Sequence, residues 1–228
     1  EIKSDFINNM THEFKTPIAT ISLAVDALKN EKVMADKEKS SYFTGIIKEE
    51  NKRMNKHVET ILQAAMLDRN EIQLDIKKRS ANDLIKKAIH NIELPLSEKN
   101  GQLEINLNAS NDLILADELH FTNIINNLLD NAIKYAKEEA PLIKISTENV
   151  SNQFRIKVED NGIGMNKETL SRIFEKFYRA HTGNLHNVKG FGLGLSYVKS
   201  MVEAHKGSIK ANSILGKGST FTINIPTV

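Results

Sequence analysis

The sequence has no cysteine, no long apolar run and no marked excess of either charge. Without cysteine, the chain can form no disulfide framework, no thiolate metal site and no cysteine nucleophile. No run reaches the roughly 18 apolar residues of a membrane-spanning helix, so no such helix is predicted. Lys plus Arg total 31 against 29 for Asp plus Glu, and this balance argues against a general nucleic-acid binder.

What is present is the composition of an ordinary globular protein. The 228 residues suffice for one or two domains, and 40% hydrophobic residues is too many for a disordered tail. The chain begins with Glu1 and shows no targeting segment. We therefore expect a cytoplasmic piece of a longer protein.

Glycine and proline are scarce in the first 70 residues, where Gly45 and Pro17 are the single examples. Apolar residues recur there at spacings of three and four, which is a heptad pattern. They are Ile7, Met10, Phe14, Pro17, Ile21, Ala24 and Leu28, then Phe43, Ile47, Met54, Val58, Ile61 and Ala65. With a turn near residues 33–37, the pattern predicts an antiparallel helical hairpin.

A single hairpin of this kind cannot cover both of its apolar faces. We therefore predict that two copies pair into a four-helix bundle, so that residues 1–70 form a homodimer. The alternative is a hairpin that packs on its own C-terminal domain.

From residue 72 onward the pattern changes to strands and helices in alternation. Strands are predicted at 72–77, 102–108, 113–117, 142–147, 154–160, 208–214 and 219–225, and helices at 82–97, 118–136 and 192–205. Asn149 to Asn152 would join two strands, and Gly207 would end the last helix as its C′ residue. The order predicts an α+β sandwich, a mixed sheet with helices on one face. Residues 161–191 are rich in glycine and aromatic residues, which favours a lid with little regular structure over a plain surface loop.

Four polar features carry candidate chemistry. The heptad places His12 on the exposed face of its helix, beside Glu13 and one turn from Thr16, with Pro17 expected to bend the helix. An exposed imidazole beside a carboxylate suits nucleophilic chemistry, although a lone surface histidine is the simpler interpretation. HEFKT is not a zinc motif, because its last residue is threonine.

The second feature is a polar stripe on the helix at 118–136, formed by Asn127, Asn131, Lys134 and Tyr135. Amide oxygens suit Mg²⁺ and the lysine suits phosphate oxygens, but a solvated helix face is an equal alternative.

The third and fourth features are rich in glycine. DNGIG, residues 160–164, combines glycines that permit positive φ and close backbone approach with an aspartate that can accept from an exocyclic amine. It could equally be an ordinary turn. GFGLGLS, residues 190–196, opens a helix whose N-terminus could face phosphate, yet it fits neither a P-loop nor a dinucleotide fingerprint.

The order of the motifs is more specific than any one of them. HEFKTP, NLLDNAIKY, DNGIG, IFEKFYR and GFGLGL follow one another between about residue 3 and residue 226. This set closely resembles the H, N, G1, F and G2 boxes of two-component sensor histidine kinases. The resemblance implies a dimerisation and histidine-phosphotransfer hairpin at 1–70. It also implies a catalytic ATP-binding domain of the Bergerat (GHKL) fold at 71–228, with a lid at about 161–191.

The resemblance also implies roles for individual residues. His12 would be the phospho-acceptor, Glu13 its general base, and Thr16 the residue that positions water for dephosphorylation of a response regulator. Arg179 would reach the γ-phosphate, and Asn131 would bind Mg²⁺ with Asn127 close to it.

The remaining implied roles concern the nucleotide. Lys134 would contact phosphate, Tyr135 would flank the nucleotide and Asp160 would take the adenine amino group. Further residues are implied near the base (Gly162, Gly164, Gly216 and Gly218), in the lid (Phe174 and Phe177) and at the phosphates (Gly190, Gly192 and Gly194).

We thus predict an ATP- and Mg²⁺-dependent kinase that autophosphorylates His12 and passes the phosphoryl group to an aspartate of a response regulator. Dephosphorylation of that regulator is a second expected activity. Its expected partners are a second copy and a receiver domain, with no direct nucleic acid and no membrane contact by this segment. The parent protein is expected to be an inner-membrane sensor. The alternatives are a non-kinase ATPase of the same fold, a dimerisation module with a decayed nucleotide site, and a DNA-binding regulator.

Overall fold

The computed structural model of the chain describes residues 2–68, 73–137, 140–180 and 191–228. These residues fall into two compact units. A helical unit lies within residues 1–71, with which residues 191–193 are grouped, and an α/β unit lies within 72–188 and 194–228. Among the described residues, no helix is both long and apolar enough to cross a membrane.

The helical unit is the predicted hairpin. Helix α1 (Ile2–Leu28) and helix α3 (Lys37–Asp68) pack against each other and are joined through a single-turn helix, α2 (Glu31–Met34). The connection is therefore partly helical rather than a plain turn. Asp36 fixes the start of α3, because its Oδ1 accepts the backbone N–H groups of Glu38 and Lys39 at 3.1 and 3.0 Å.

The heptad residues of α1 differ in how deeply they are buried. Pro17 and Ala24 are buried, the other seam residues from Met10 to Leu28 are partly buried, and Ile7 is 61% exposed. The side chain of Ala65, predicted for the seam of α3, lies outside the described residues. Val58, predicted for the seam of α3, is 45% exposed. Further apolar side chains on α1 and α3 also stay exposed, namely Ile18, Leu23, Val25, Tyr42 and Leu62.

The α/β unit has the predicted sandwich architecture. Its elements are β1 (Lys77–Ser80), α4 (Ala81–Glu98), β2 (Gln102–Leu107), β3 (Leu113–Ala116), α5 (Glu118–Lys134), β4 (Leu142–Val150), β5 (Gln153–Asp160), α6 (Lys167–Arg172), α7 (Gly194–Ala204), β6 (Ser208–Ile214) and β7 (Gly218–Pro226). The main sheet has the order β2-β4-β5-β7-β6, in which β2 and β4 are parallel and all other pairs are antiparallel. Strands β1 and β3 form a separate antiparallel pair.

The core of this unit lies between the main sheet and the helices α4, α5 and α7. Alternate residues of the central strands are buried, such as Ile143 and Ile145 on β4 and Ile156 and Val158 on β5. The buried faces of the three helices supply the other side of the core. A mixed sheet with helices on one face, predicted from the pattern, is confirmed.

Two predicted strand limits were wrong. A strand was expected at 72–77, yet residues 73–76 are irregular and β1 begins at Lys77. The cause is a competing bond, because the Asp75 N–H donates to the Asp117 carboxylate at 2.8 Å instead of to a neighbouring strand. The β4–β5 connection is also shorter than predicted. Only Ser151 and Asn152 form it, both with positive φ, as a tight hairpin turn requires.

The ends of α7 also differ from the prediction. The helix begins at Gly194 rather than Gly192, and its C′ residue is Lys206 with φ of 58° rather than Gly207. The Lys206 and Gly207 N–H groups donate to the carbonyls of Glu203 and Val202, both at 2.9 Å, which completes a Schellman motif. Gly207 serves close approach instead, because a Cβ there would lie 2.5 Å from the carbonyl oxygen of Asn224 on β7.

A buried histidine links the end of α7 to the start of α5. The His205 Nδ1 bonds the Met201 carbonyl at 2.6 Å, and its Nε2 accepts the Asp117 N–H at 3.1 Å. This pair of bonds requires a neutral ring protonated at Nδ1. Burial lowers the pKa of His205, which favours the same neutral form.

Candidate functional site

A cavity of about 390 Å³ lies in the α/β unit, between the C-terminal half of α5 and the segment that follows β5. Five residues predicted for a nucleotide site line it, namely Asn131, Tyr135, Asp160, Gly164 and Arg179. Its other lining residues were not predicted, and they are Ile163, Met165, Asn166, Thr169, Ile173, Tyr178, Ala180, Leu195, Leu215, Ser219 and Phe221. Most of these are apolar, so the cavity suits a flat, largely apolar group with a few polar contacts.

Asp160 is the buried acidic group of this cavity. Its Oδ1 accepts the backbone N–H groups of Gly162 at 2.8 Å and Ser219 at 3.2 Å. Burial raises the pKa of Asp160, and these two hydrogen bonds oppose the rise. No described residue hydrogen-bonds to Oδ2. That oxygen is therefore the acceptor that Asp160 offers to a bound amine.

The glycines of DNGIG serve packing within the protein. A Cβ on Gly162 would lie 2.6 Å from the Tyr135 carbonyl oxygen and 2.8 Å from Asp160 Oδ1. Gly164 has φ of 64°, and a Cβ there would collide with the Ile214 carbonyl oxygen. Positive φ, expected for both glycines, occurs at Gly164 but not at Gly162. The close approach that both permit is to other backbone of the cavity wall.

The turn between β6 and β7 lies beside Asp160 and Ile163 at the edge of the cavity. Gly216 has φ of 80° and its N–H donates to the Ile163 carbonyl at 2.7 Å. Gly218 has φ of 112°, and a Cβ on it would collide with the Asp160 carbonyl oxygen. The predicted glycine pair thus lets this turn pack closely against the backbone of Asp160 and Ile163.

Two serines that the sequence did not single out also support the loop. Ser213 Oγ accepts the Met165 N–H at 2.8 Å and donates to the Gly218 carbonyl at 2.8 Å. It lies 3.0 Å from Ser219 Oγ. These serines fall in ordinary alternating strands, so no sequence signal distinguished them. Only their position beside Asp160 shows their part in the site.

Only two of the four residues in the polar stripe of α5 line the cavity. Asn131 and Tyr135 line it, whereas Lys134 does not, and its Nζ lies 5.4 Å from the centre of the Tyr135 ring. The Asn127 Nδ2 donates to the Asn123 carbonyl at 2.8 Å. A Cβ on Gly194 would lie 2.8 Å from Asn127 Oδ1. The Asn127 amide therefore lies beside the start of α7.

Burial raises the pKa of the Tyr135 phenol, and the positive charge of Arg179 opposes this. A neutral phenol and a guanidinium therefore stand together at one wall of the cavity. The guanidinium is the group there that suits phosphate oxygens.

The predicted lid is more regular than expected. It contains α6, which begins after Asn166, whose side chain accepts the Thr169 N–H at 2.8 Å. The two phenylalanines predicted to anchor it, Phe174 and Phe177, do not line the cavity, while the neighbouring Tyr178 does. Residues 181–190, including Gly190, lie outside the described residues. Gly192 has φ of 71°.

The predicted phospho-acceptor lies in the helical unit. His12 is exposed on α1, as the heptad position indicated. Thr16 is also exposed, one turn further on, and its Oγ1 donates to the His12 carbonyl at 3.2 Å. Glu13 points elsewhere, because its Oε2 lies 3.6 Å from Arg53 Nη2 on α3. Within the described residues, no group of three or more His, Cys, Asp or Glu side chains could hold a metal ion.

Two family models match the chain in the order that the motifs predicted. Residues 2–70 match the His Kinase A (phospho-acceptor) domain. Residues 116–228 match the Histidine kinase-, DNA gyrase B-, and HSP90-like ATPase family. The two matches together take in the exposed His12 and the whole cavity wall. The chain belongs to the sensor histidine kinases.

Relatives of this histidine kinase region support the assignment over its whole length. The chain is 49% identical over 227 residues to the sensor protein RprX of Bacteroides fragilis, covering 99% of the chain and 44% of RprX. It is 31% identical over 225 residues to the sensor protein kinase WalK of Staphylococcus epidermidis, covering 98% of the chain and 36% of WalK. The chain therefore spans less than half the length of these relatives.

A solved structure agrees with the fold of both units. Full-length ShkA in complex with AMPPNP matches with a TM-score of 0.70 and 25% identity, over 96% of this chain and 45% of ShkA. The ATPase family match supports the use of ATP.

Proposed function

We propose that this histidine kinase region transfers the γ-phosphoryl group of ATP to His12 and then to an aspartate of a response regulator. The observation that supports this most is the occurrence in one chain of an exposed histidine in a phospho-acceptor domain and a cavity with a buried acceptor at Asp160. The domain division proposed is 1–70 for dimerisation and phosphotransfer and 71–228 for ATP binding.

Adenine recognition would fall to Asp160. Its Oδ1 is held by the N–H groups of Gly162 and Ser219, so Oδ2 is the oxygen directed to the base. An adenine presents an amino group to such an acceptor, whereas a guanine presents a carbonyl oxygen, which would repel it. The apolar side chains around Ile163 and Phe221 would cover the faces of the ring.

The polar residues at and near the cavity would hold the triphosphate and its metal. Amide oxygens of Asn131 and Asn127 are hard donors that suit Mg²⁺, which commonly takes few protein ligands and relies on phosphate and water for the rest. Bound Mg²⁺ would neutralise charge on the phosphates. Arg179 and Lys134 would add positive charge, and Gly192 and Gly194 would present backbone N–H groups at the start of α7. Gly190 and the lid phenylalanines keep their predicted roles as part of this proposal.

The transfer itself needs a neutral imidazole. A ring nitrogen of His12 attacks the γ-phosphorus as the bond to the ADP oxygen breaks, and the new N–P bond forms in line with it. The proton on the ring must leave, and Glu13 is the base proposed to take it. The phosphoramidate formed is a good donor to a carboxylate of a receiver domain. Thr16 is proposed to position water when the same domain dephosphorylates its partner.

Dimerisation is part of the proposal because the hairpin leaves apolar side chains uncovered. Ile7, Ile18 and Val25 lie on one stripe of α1, since their spacings are whole numbers of turns to within about 20°. Val58 and Leu62, four residues apart, add a patch on α3. A second copy would cover these surfaces in a four-helix bundle. That the parent protein is a membrane-anchored sensor stays a prediction.

The decisive experiment incubates the chain with γ-labelled ATP and Mg²⁺ and then tests the label for stability in acid and alkali. We expect label that is lost in acid and kept in alkali, as for phosphohistidine, and no label in His12→Gln. His90→Gln is the matched control, because His90 is also exposed on a helix. Label that persists in His12→Gln would refute the assignment. ATP hydrolysis without label would favour the non-kinase ATPase.

A further inference from the structure

The carboxylate beside the phospho-acceptor is held on the side of α3. Arg53 Nη2 lies 3.6 Å from Glu13 Oε2, and Arg53 Nη1 lies 3.8 Å from Glu50 Oε2. The three side chains are 13 to 27% exposed. Both Oε2 atoms are buried and accept no hydrogen bond from any described residue. One guanidinium therefore serves two carboxylates, at distances longer than those of hydrogen bonds.

This arrangement separates Glu13 from the imidazole that it is proposed to serve. Consecutive residues of a helix do not face each other, and no hydrogen bond joins the Glu13 and His12 side chains in the described structure. A general base must come within about 3 Å of the proton that it takes. A Glu13 carboxylate that faces α3 must leave Arg53 before it can reach the exposed face of α1.

We propose that Arg53 is a positioning residue that holds Glu13 in a resting position against α3, and that Glu50 competes with Glu13 for it. The proposal rests on the proposed function, in which Glu13 takes the proton of His12. In the resting position the ring keeps its proton and transfer is slow. When Glu13 turns outward, Arg53 remains paired with Glu50, so no buried charge is left without a partner.

The competition predicts opposite effects for substitutions of Arg53 and of Glu50. Arg53→Gln removes the positive charge and leaves Glu13 and Glu50 to repel each other, so Glu13 should turn outward more often. We expect autophosphorylation at saturating ATP to become about fivefold faster, the population shift that loss of a partly exposed ion pair can give. Glu50→Gln leaves Arg53 to Glu13 alone, and we expect transfer to become slower by a similar factor. Arg53→Lys keeps the charge and should stay near the wild-type rate.

The experiment measures the initial rate of His12 labelling and the KM for ATP in these variants, each alone and combined with Glu13→Gln. Because Arg53 acts through Glu13, neither Arg53→Gln nor Glu50→Gln should change the residual rate of Glu13→Gln, and the KM should stay constant throughout. Lys52→Gln is the matched control, since Lys52 is the exposed neighbour of Arg53 on α3. Thermal unfolding in parallel shows that each variant is folded.

Several outcomes would overturn the proposal. A rate for Arg53→Gln at or below that of the wild type would do so, as would equal changes in the presence and absence of the Glu13 carboxylate. Effects of the same sign for Arg53→Gln and Glu50→Gln would indicate a merely structural role. A wild-type chain that takes no label at His12 would reject the proposed function first, and the role of Arg53 with it.

Discussion

At the scale of single residues, the site depends on how one carboxylate divides its two oxygens. Asp160 Oδ1 is fixed by backbone N–H groups from two separate segments, which leaves Oδ2 for the proposed bond to the base. The place of Asp160 in the candidate site could be predicted from the motif DNGIG, because aspartate and glycine have recognisable chemistry. The serines at 213 and 219 could not be predicted, since their role arises from tertiary contact and a serine in a strand carries no pattern of its own.

The division of roles within Asp160 predicts the effect of Asp160→Asn. The amide can keep its oxygen on the two N–H groups, but it then presents an NH₂ group where the carboxylate accepted one. We expect the affinity for ATP to fall about 10- to 100-fold and the preference for ATP over GTP to narrow, because the new donor suits the guanine carbonyl.

Titration of both nucleotides with Asp160→Asn, by calorimetry or by displacement of a fluorescent analogue, measures the change. Asp83→Asn, on an exposed aspartate of α4, controls for the loss of one charge. Unchanged ATP affinity would place the base elsewhere.

At the scale of elements, the predicted helices and most predicted strands match the structure to within two residues, and β1 and the end of β4 are the exceptions. The helices α4 and α5 matched their apolar periodicity to within two residues, because a long stretch of pattern specifies each of them. Strand β1 was misplaced, because alternation over six residues cannot show which backbone groups find a partner. The helical part of the connection between α1 and α3, and α6 within the lid, are too short to show periodicity.

The junction between α5 and α7 should make stability depend on pH. His205 is neutral when folded and its pKa is lowered by burial, while the unfolded side chain titrates near 6.5. Below that pH the unfolded state binds a proton that the folded state does not, so stability falls as the pH falls. The slope should reach at most about 1.4 kcal/mol per pH unit for this one group.

Urea unfolding of the chain between pH 7.5 and 5 measures this slope. His205→Gln removes the titrating ring, so its stability should be lower at neutral pH but depend less on pH. His90→Gln, which alters an exposed ring, is the control for the loss of a histidine. An equal slope in His205→Gln would assign the pH dependence to other groups.

At the scale of the whole molecule, the ordered motifs predicted the family, and the fold agrees with it. The sequence could not show which apolar side chains of the hairpin would remain uncovered, because a heptad pattern does not show how many helices pack together. In the structure Ile18 is 50% exposed and Val25 is 39% exposed, and both lie on the same stripe of α1.

Charge on this stripe should prevent pairing of two copies. In Ile18→Glu/Val25→Glu, two side chains that the bundle would bury are replaced by carboxylates that would have to leave water. We expect the dissociation constant of the dimer to rise at least about 100-fold. Light scattering should then report the 25.6 kDa mass of one chain rather than twice that value.

Leu23→Glu is the control for this experiment, because Leu23 is exposed on a different side of α1. A double variant that remains dimeric would move the interface to another surface. A wild-type chain that is monomeric at high concentration would contradict the bundle altogether.

The position of β7 in the sequence has a consequence for protein synthesis. This strand follows all the others of its unit along the chain, yet it lies between β5 and β6 in the sheet and carries the Ser219 N–H that holds Asp160. The helical hairpin can fold while the ribosome is still translating, because all its residues emerge before those of the α/β unit. The proposed base pocket cannot form until β7 has emerged, so the nascent chain would acquire the proposed phospho-acceptor well before it could bind ATP.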